Sequence, residues 1–161
     1  MSPFTGRAIG LAFATLWLLL GAGALPLPWR YVVGGLGVAA IIALVIRAWR
    51  MNERRTGLFR MGRYRLSVAL EFGAIAFTSY LLMKTGSGGY LIPAVGVIVG
   101  LHFIGLWWAG GGIQYLQLAG LMTVIDSFAL LLPPGSASMQ AVAGLGSAAA
   151  LAGIAGTGAR R

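Results

Sequence analysis

Cysteine is absent from this chain, and acids nearly so. Without cysteine there is no disulfide, no thiolate metal site and no thiol nucleophile. Asp and Glu together number 3, and there is 1 His, which excludes a bis-histidine haem site within one chain. Charged residues make up only 9% of the 161, where soluble domains carry about 25%. Proline is sparse as well, with 6 residues, and mostly falls outside the apolar runs.

What fills the chain instead is hydrophobic sequence, 58% of residues, together with 26 glycines. Glycine is more frequent in membrane helices than in soluble ones. This composition places the chain in a bilayer before any motif is considered. No polar stretch is long enough for a separate soluble domain, so any chemistry belongs to the spans and their short loops. The net charge of +9 is read as the Lys and Arg excess of cytoplasmic loops rather than as a nucleic-acid footprint. Nucleic acid is therefore not an expected partner.

The expected fold is all-α: a polytopic integral membrane bundle of six transmembrane helices with both termini cytoplasmic. The spans are placed at about 7–24, 31–48, 66–83, 91–109, 115–132 and 139–156, with a basic cytoplasmic loop over 49–65. Ala22-Gly-Ala24 resembles a small-residue cleavage site, but the first run is read as a retained span. Pro26 and Pro28 end it, and Trp29 and Tyr31 mark an interface. Pro93 falls in the first turn of the fourth span, where its missing N–H costs nothing. Gly86, Gly88 and Gly89 suit a flexible loop with positive φ. Trp107 and Trp108, then Gly110-Gly-Gly112, close the fourth span, and Pro133-Pro134-Gly135 closes the fifth. Orientation follows from charge. One side holds Arg7, the arginines from Arg47 to Arg65, Arg160 and Arg161, and the other holds only Arg30 and Lys84.

Three ionisable side chains lie inside apolar runs: Glu71, His102 and Asp126. Such groups are expensive in hydrocarbon and need a partner or a wet cavity. They occupy three consecutive antiparallel spans, which are expected neighbours, and all fall within about one to two helical turns of the midplane. They are expected to converge on one buried proton or ion site. His102, with an unperturbed pKa near 6.5, would be its proton carrier. Glu71 would act on the cytoplasmic side and Asp126 on the outer side. Ser67, Thr78, Thr123 and Ser127 are assigned to the same helix faces as supporting polar groups. The bland reading of each ionisable group is a structural hydrogen bond between helices. One His and two carboxylates are the donor set of a facial triad, but spacings such as His-x-x-x-His are missing, so no metal or other cofactor is expected.

Arg50, Arg54, Arg55, Arg60, Arg63 and Arg65 form an expected platform for anionic lipid headgroups. Small residues at near-turn spacing mark expected helix-packing faces: Gly35, Ala39 and Ala43, then Gly96 and Gly100, and then Gly144, Ala148, Ala152 and Gly156. The last face is expected to meet another helix, within the monomer or in a homo-oligomer.

The run from Pro93-Ala94 through Gly100-Leu101-His102-Phe103 resembles a segment of uncharacterised small multi-pass bacterial membrane proteins. The resemblance covers about one span. It departs from that pattern at Gly105-Leu106, where a Pro-Leu often stands. It implies a bacterial cytoplasmic-membrane location and no particular function. Three functional classes follow from the sequence. The leading one is a proton- or cation-coupled transporter or permeation path through the Glu/His/Asp site. Second is a non-catalytic accessory or scaffold subunit of a membrane complex. An intramembrane lipid-acting enzyme comes third, with no catalytic residue assigned.

Overall fold

A computed structural model of the chain describes residues 3–50 and 60–157. Among these the secondary structure is entirely helical: α1 (Pro3–Gly23), α2 (Trp29–Arg50), α3 (Met61–Lys84), α4 (Leu91–Trp108), α5 (Ile113–Ala129) and α6 (Ala137–Thr157), with a 3-10 turn at Gly88–Tyr90. Four stretches are long and apolar enough to cross a membrane, namely Trp29–Arg50, Met61–Lys84, Gly88–Trp108 and Ala137–Gly156. This is consistent with an integral membrane protein. The apolar part of α1, Arg7–Gly23, is shorter, and α5 has 17 residues.

The helices run alternately up and down. Gly10 faces Ala155, and Gly21 faces Gly144, so α1 and α6 are antiparallel. Gly34 faces Ala22, and Gly37 faces Leu18, which sets α2 against α1 in the same sense. At one end the loops after α3 and α5 touch, with the Gly135 N–H donating to the Gly89 carbonyl at 3.2 Å. At the other end the Arg60 N–H donates to the Ala109 carbonyl at 2.8 Å. In lateral order the row is α2, α1, α6, then α5 and α4, then α3. Among the described residues α3 packs on α4 and on the 3-10 turn and on no other helix.

α6 is the hub, touching α1, α2, α4 and α5. Its composition allows this. Gly144 and Ala148 are buried, and Gly156 lies against the Leu44 side chain of α2. Ala152 is half-buried. A Cβ on Gly21 would come within 2.5 Å of the Leu145 backbone nitrogen, and one on Gly144 would collide with the Gly21 backbone. The two backbones therefore meet directly. In lipid, where water does not drive helices together, such contact supplies dispersion that bulky side chains would prevent. Around the crossing, Leu11, Ala14, Trp17, Leu18 and Ala22 bury the α1 face at helical spacing.

Several boundaries differ from those expected, among them the start of α1 at Pro3 in place of 7. α3 begins at Met61, so Arg63 and Arg65 belong to its first turns and not to a loop. Arg63 explains the extension: its guanidinium lies 4.5 Å from the Trp108 ring centroid and donates to the Trp108 carbonyl at 3.3 Å. The arginine thus continues the helix while its head stays near an interfacial ring. α5 stops at Ala129, earlier than the expected Leu132. Of the loop glycines, Gly86 takes φ +70, as the turn after α3 needs: the Ser87 N–H donates five residues back to Leu82 at 2.8 Å. Gly88 and Gly89 join the 3-10 turn instead.

Gly144→Ala is expected to destabilise, because Gly21 leaves no room for the methyl. Overpacking of this kind costs about 1–3 kcal/mol. Gly153→Ala on the same helix faces open space, and the better helix propensity of alanine should leave it neutral or slightly stabilising. Thermal unfolding of both variants in detergent checks the contrast.

Candidate functional site

The three ionisable side chains lie in two separate clusters, on different sides of α4. The first is at the α3–α4 seam. Ser67 and Glu71, four residues apart on α3, both reach the imidazole of His102 on α4. His102 Nδ1 lies 3.1 Å from Ser67 Oγ, 3.3 Å from the Ser67 carbonyl oxygen and 3.4 Å from Glu71 Oε2. A carbonyl and a carboxylate only accept, so this surrounding fits a proton on Nδ1. The Ser67 hydroxyl then donates to the His102 carbonyl at 3.5 Å. Nε2 is the ring atom left to take up a further proton. The glycine one turn on, Gly105, has a specific task here: a Cβ at that position would strike the Ser67 hydroxyl. Ser67 is buried, while the His102 and Glu71 side chains keep 9% and 15% exposure. The Phe103 ring, beside His102 on α4, stacks on Tyr115 of α5 at 6.2 Å between centroids.

The second cluster lies between α4, α5 and α6. Asp126 is completely buried. Ser147 of α6 donates to its Oδ2 at 2.7 Å, a length suited to a hydroxyl on a carboxyl oxygen. The other side of the carboxyl rests over Gly96, where a Cβ would overlap it. One turn earlier on α5, Thr123 Oγ1 rests over Gly100 in the same way, 2.6 Å from where a Cβ would stand. Asp126 Oδ1 and Thr123 Oγ1 are buried with no hydrogen-bond partner among the described residues. The glycine Cα–H groups they face are weak donors.

The sequence places all three groups at one site; among the described residues they are not joined into one bonded cluster. No hydrogen bond or ion pair joins Asp126 to His102 or Glu71 among the described residues. The reason lies in α4. Gly96, which meets Asp126, precedes His102 by six residues, about 9 Å of rise and about 120° of rotation. The two positions face different neighbours at different depths.

The supporting residues divide accordingly. Ser67 joins the first cluster and Thr123 the second. Thr78 is half-buried on α3. Ser127 is exposed and belongs to neither. The buried arc of α5 runs through Leu118, Ala119, Met122, Asp126 and Ala129, and Ser127 lies one step past its edge. Ser147 was not singled out from sequence. Its signal is plain in hindsight, since it is the one polar side chain between Ala141 and Gly156. Of the headgroup arginines, Arg50, Arg60 and Arg65 are exposed and Arg63 is packed on Trp108. Arg54 and Arg55 lie outside the described residues.

No protein family, no curated protein and no solved structure matches the chain.

Ser147→Ala is expected to lower stability by about 1–3 kcal/mol, the cost of stripping a buried polar group of its hydrogen bond. Adding Asp126→Leu to Ser147→Ala removes both partners and should cost less than the two single changes combined. A double-mutant cycle read by unfolding in detergent tests this. Strict additivity would mean that the two side chains do not interact.

Proposed function

We propose that this chain is a six-span protein of a bacterial cytoplasmic membrane, with both termini cytoplasmic, serving as a non-catalytic accessory or scaffold subunit. The observation that carries the reading is the position of α3. Among the described residues it is fastened to the other helices through α4 alone, and it turns Leu66, Leu70, Phe72, Phe77 and Tyr80 outward. A row of helices with such an open edge suits lateral assembly with an apolar helix of a larger complex or of a second copy. The polar groups support the same reading. Glu71 and His102 meet across the α3–α4 seam, and Asp126 bonds from α5 to α6. The separation of Asp126 from His102 removes the main reason to place a three-member relay first.

Orientation is supported by charge. The end of the row that carries Arg7, Arg47, Arg50, Arg60, Arg63 and Arg65 would be cytoplasmic, and the end with Arg30 and Lys84 external. The arginine-rich end would rest among anionic headgroups. Cysteines at Ser87 and Ser136, in the two loops that touch, should react with a membrane-impermeant thiol reagent from outside, while one at Arg60 should not. The reverse pattern would invert the topology.

A proton- or cation-coupled transporter is the second reading, favoured by one observation: His102 and Glu71 pair in mid-helix and are not sealed off, at 9% and 15% exposure. Purified protein in liposomes separates the two. The subunit reading expects no proton flux above that of empty liposomes under an imposed pH gradient. It also expects a cysteine at Phe72 or Phe77 to cross-link α3 to a neighbouring chain in native membranes. Proton flux that His102→Ala abolishes would restore the transport reading.

A further inference from the structure

We propose that the outward face of α2 is a binding site for one anionic diacyl phospholipid, its phosphate held by Arg47 and Arg50 and one acyl chain lying along Gly35, Ala39 and Ala43. The proposal rests on the membrane reading above and goes beyond it by naming one lipid class and one place.

The geometry begins with the two sides of α2. Toward α1 and α6 it presents Gly34, Gly37, Ile41 and Leu44, which meet Ala22, Leu18 and Gly156 or are buried. At about 100° per residue, Gly35, Ala39, Ala43, Ile46 and Arg50 fall within an arc of about 80° on the opposite side. All five are exposed, and a Cβ on Gly35 would meet nothing within 4 Å. At the basic end of this stripe lies a shallow hollow of about 320 Å³ lined by Ala43, Ile46, Arg47 and Arg50. Its lining is two apolar residues and two exposed arginines three residues apart. That pairing suits a phosphodiester, because planar guanidinium forks bind phosphate oxygens with charge-assisted hydrogen bonds.

Length agrees with a lipid. From Arg47 back to Gly35 is twelve residues, about 18 Å of helix, close to the depth of one leaflet of a hydrocarbon core about 30 Å thick. Between Gly35 and Ala43 the stripe carries no bulky side chain and is flanked by the exposed Leu36 and Ile42, with Ile46 beyond it at the basic end, which makes it a trough for a single chain. A second copy fits this face less well. Two copies inserted in the same orientation run parallel, so α2 against α2 would set Arg47 and Arg50 beside their own equivalents. A phosphate neutralises that charge, and a second copy doubles it.

The test uses the full chain purified in mild detergent and titrated with phosphatidylglycerol and, separately, phosphatidylcholine, with bound lipid counted by native mass spectrometry. Phosphatidylglycerol should bind more tightly, with one lipid retained preferentially. Near a surface each basic residue contributes about five-fold to affinity for anionic lipid, so Arg47→Gln with Arg50→Gln should weaken phosphatidylglycerol by about 25-fold. The same charge removed elsewhere, by Arg60→Gln with Arg65→Gln, should change it less than about three-fold, because detergent offers no extended anionic surface and salt screens charges more than about 10 Å from one bound phosphate. Ala39→Leu with Ala43→Leu should weaken the diacyl lipid while leaving a short-chain phosphatidylglycerol unchanged, and inorganic phosphate should not compete. Equal losses in the two arginine pairs would mean diffuse charge attraction and overturn the site. So would unchanged retention in the Arg47/Arg50 pair, or a disulfide-linked dimer formed in membranes by Ala39→Cys. Carbonate extraction of native membranes reports separately on the membrane reading, since a chain released into the wash would sink that reading whatever the lipid titration shows.

Discussion

The arrangement depends on how thin α6 is. A helix with leucines on every side keeps its neighbours about 10 Å away and has room for few of them. α6 instead puts Gly144 against the backbone of α1, Gly146 against Ile125 of α5 and Gly156 against Leu44 of α2. Three neighbours are thus drawn in at three heights of one helix, and α4 reaches it as well. In a bilayer, lipid tails are as apolar as the side chains they replace, so little is gained by hiding leucine from lipid. What favours one packing over another is the closeness of the contact. Many large hydrophobic residues accordingly lie outside, with Leu36, Trp49, Val124 and Leu131 among the most exposed, while Gly144, Ala148 and Ala143 are buried beside larger core residues such as Leu11, Trp17 and Met122.

Polar side chains then settle which helix sits where. Dispersion between small residues is forgiving of rotation and sliding, whereas a hydrogen bond in hydrocarbon is not. Asp126 joins α5 to α6 through Ser147, and its carboxyl fits only because α4 offers a glycine there. Ser67 joins α3 to α4 through His102, and fits only because α4 offers Gly105. Asp126, Thr123 and Ser67 each face a glycine of α4, respectively Gly96, Gly100 and Gly105. The pairing of a bond with a vacancy fixes both the depth and the rotation of each contact, which small-residue packing alone leaves loose. It also accounts for why α4, with Gly96, Gly100 and Gly105 turned to different neighbours, can hold α5 on one side and α3 on the other.

The helical class and the approximate bounds of the helices were legible in the sequence because apolar length, proline and interfacial aromatics are local signals. Gly144 and Gly156 could be picked out as packing positions from spacing alone. Their partners could not. Nothing local in α1 marks Gly21 as the residue that meets Gly144, since the contact joins residues at opposite ends of the chain. The polar site was legible as a set of residues and not as an arrangement. Three costly groups on three consecutive spans suggest one meeting place, but rotation about α4 decides the matter, and its apolar sequence has no clear polar face to read. Ser127 misled for a related reason: four residues from Thr123, it looks like the next member of a stripe, yet the contact arc of α5 ends before it.

The two kinds of contact leave the two ends of the row unlike each other. On α2 the inner contacts are Gly34 on Ala22 and Gly37 on Leu18, and its outer stripe is small, with arginines at one end. On α3 the inner contact is polar, and the outer face is large and aromatic, with Phe72, Phe77 and Tyr80 exposed. A small trough under paired positive charge and a broad aromatic ridge ask for different neighbours. The first suits a thin, flexible, anionic chain that fills a groove. The second suits a helix whose own side chains interdigitate with rings. That asymmetry argues against a closed ring in which the α2 edge of one copy meets the α3 edge of the next, because Arg47 and Arg50 would then lie toward Arg65 at the same end of α3, with no acid among the described residues there to receive them. Lipid at one edge and protein at the other, as proposed, would satisfy both surfaces at once.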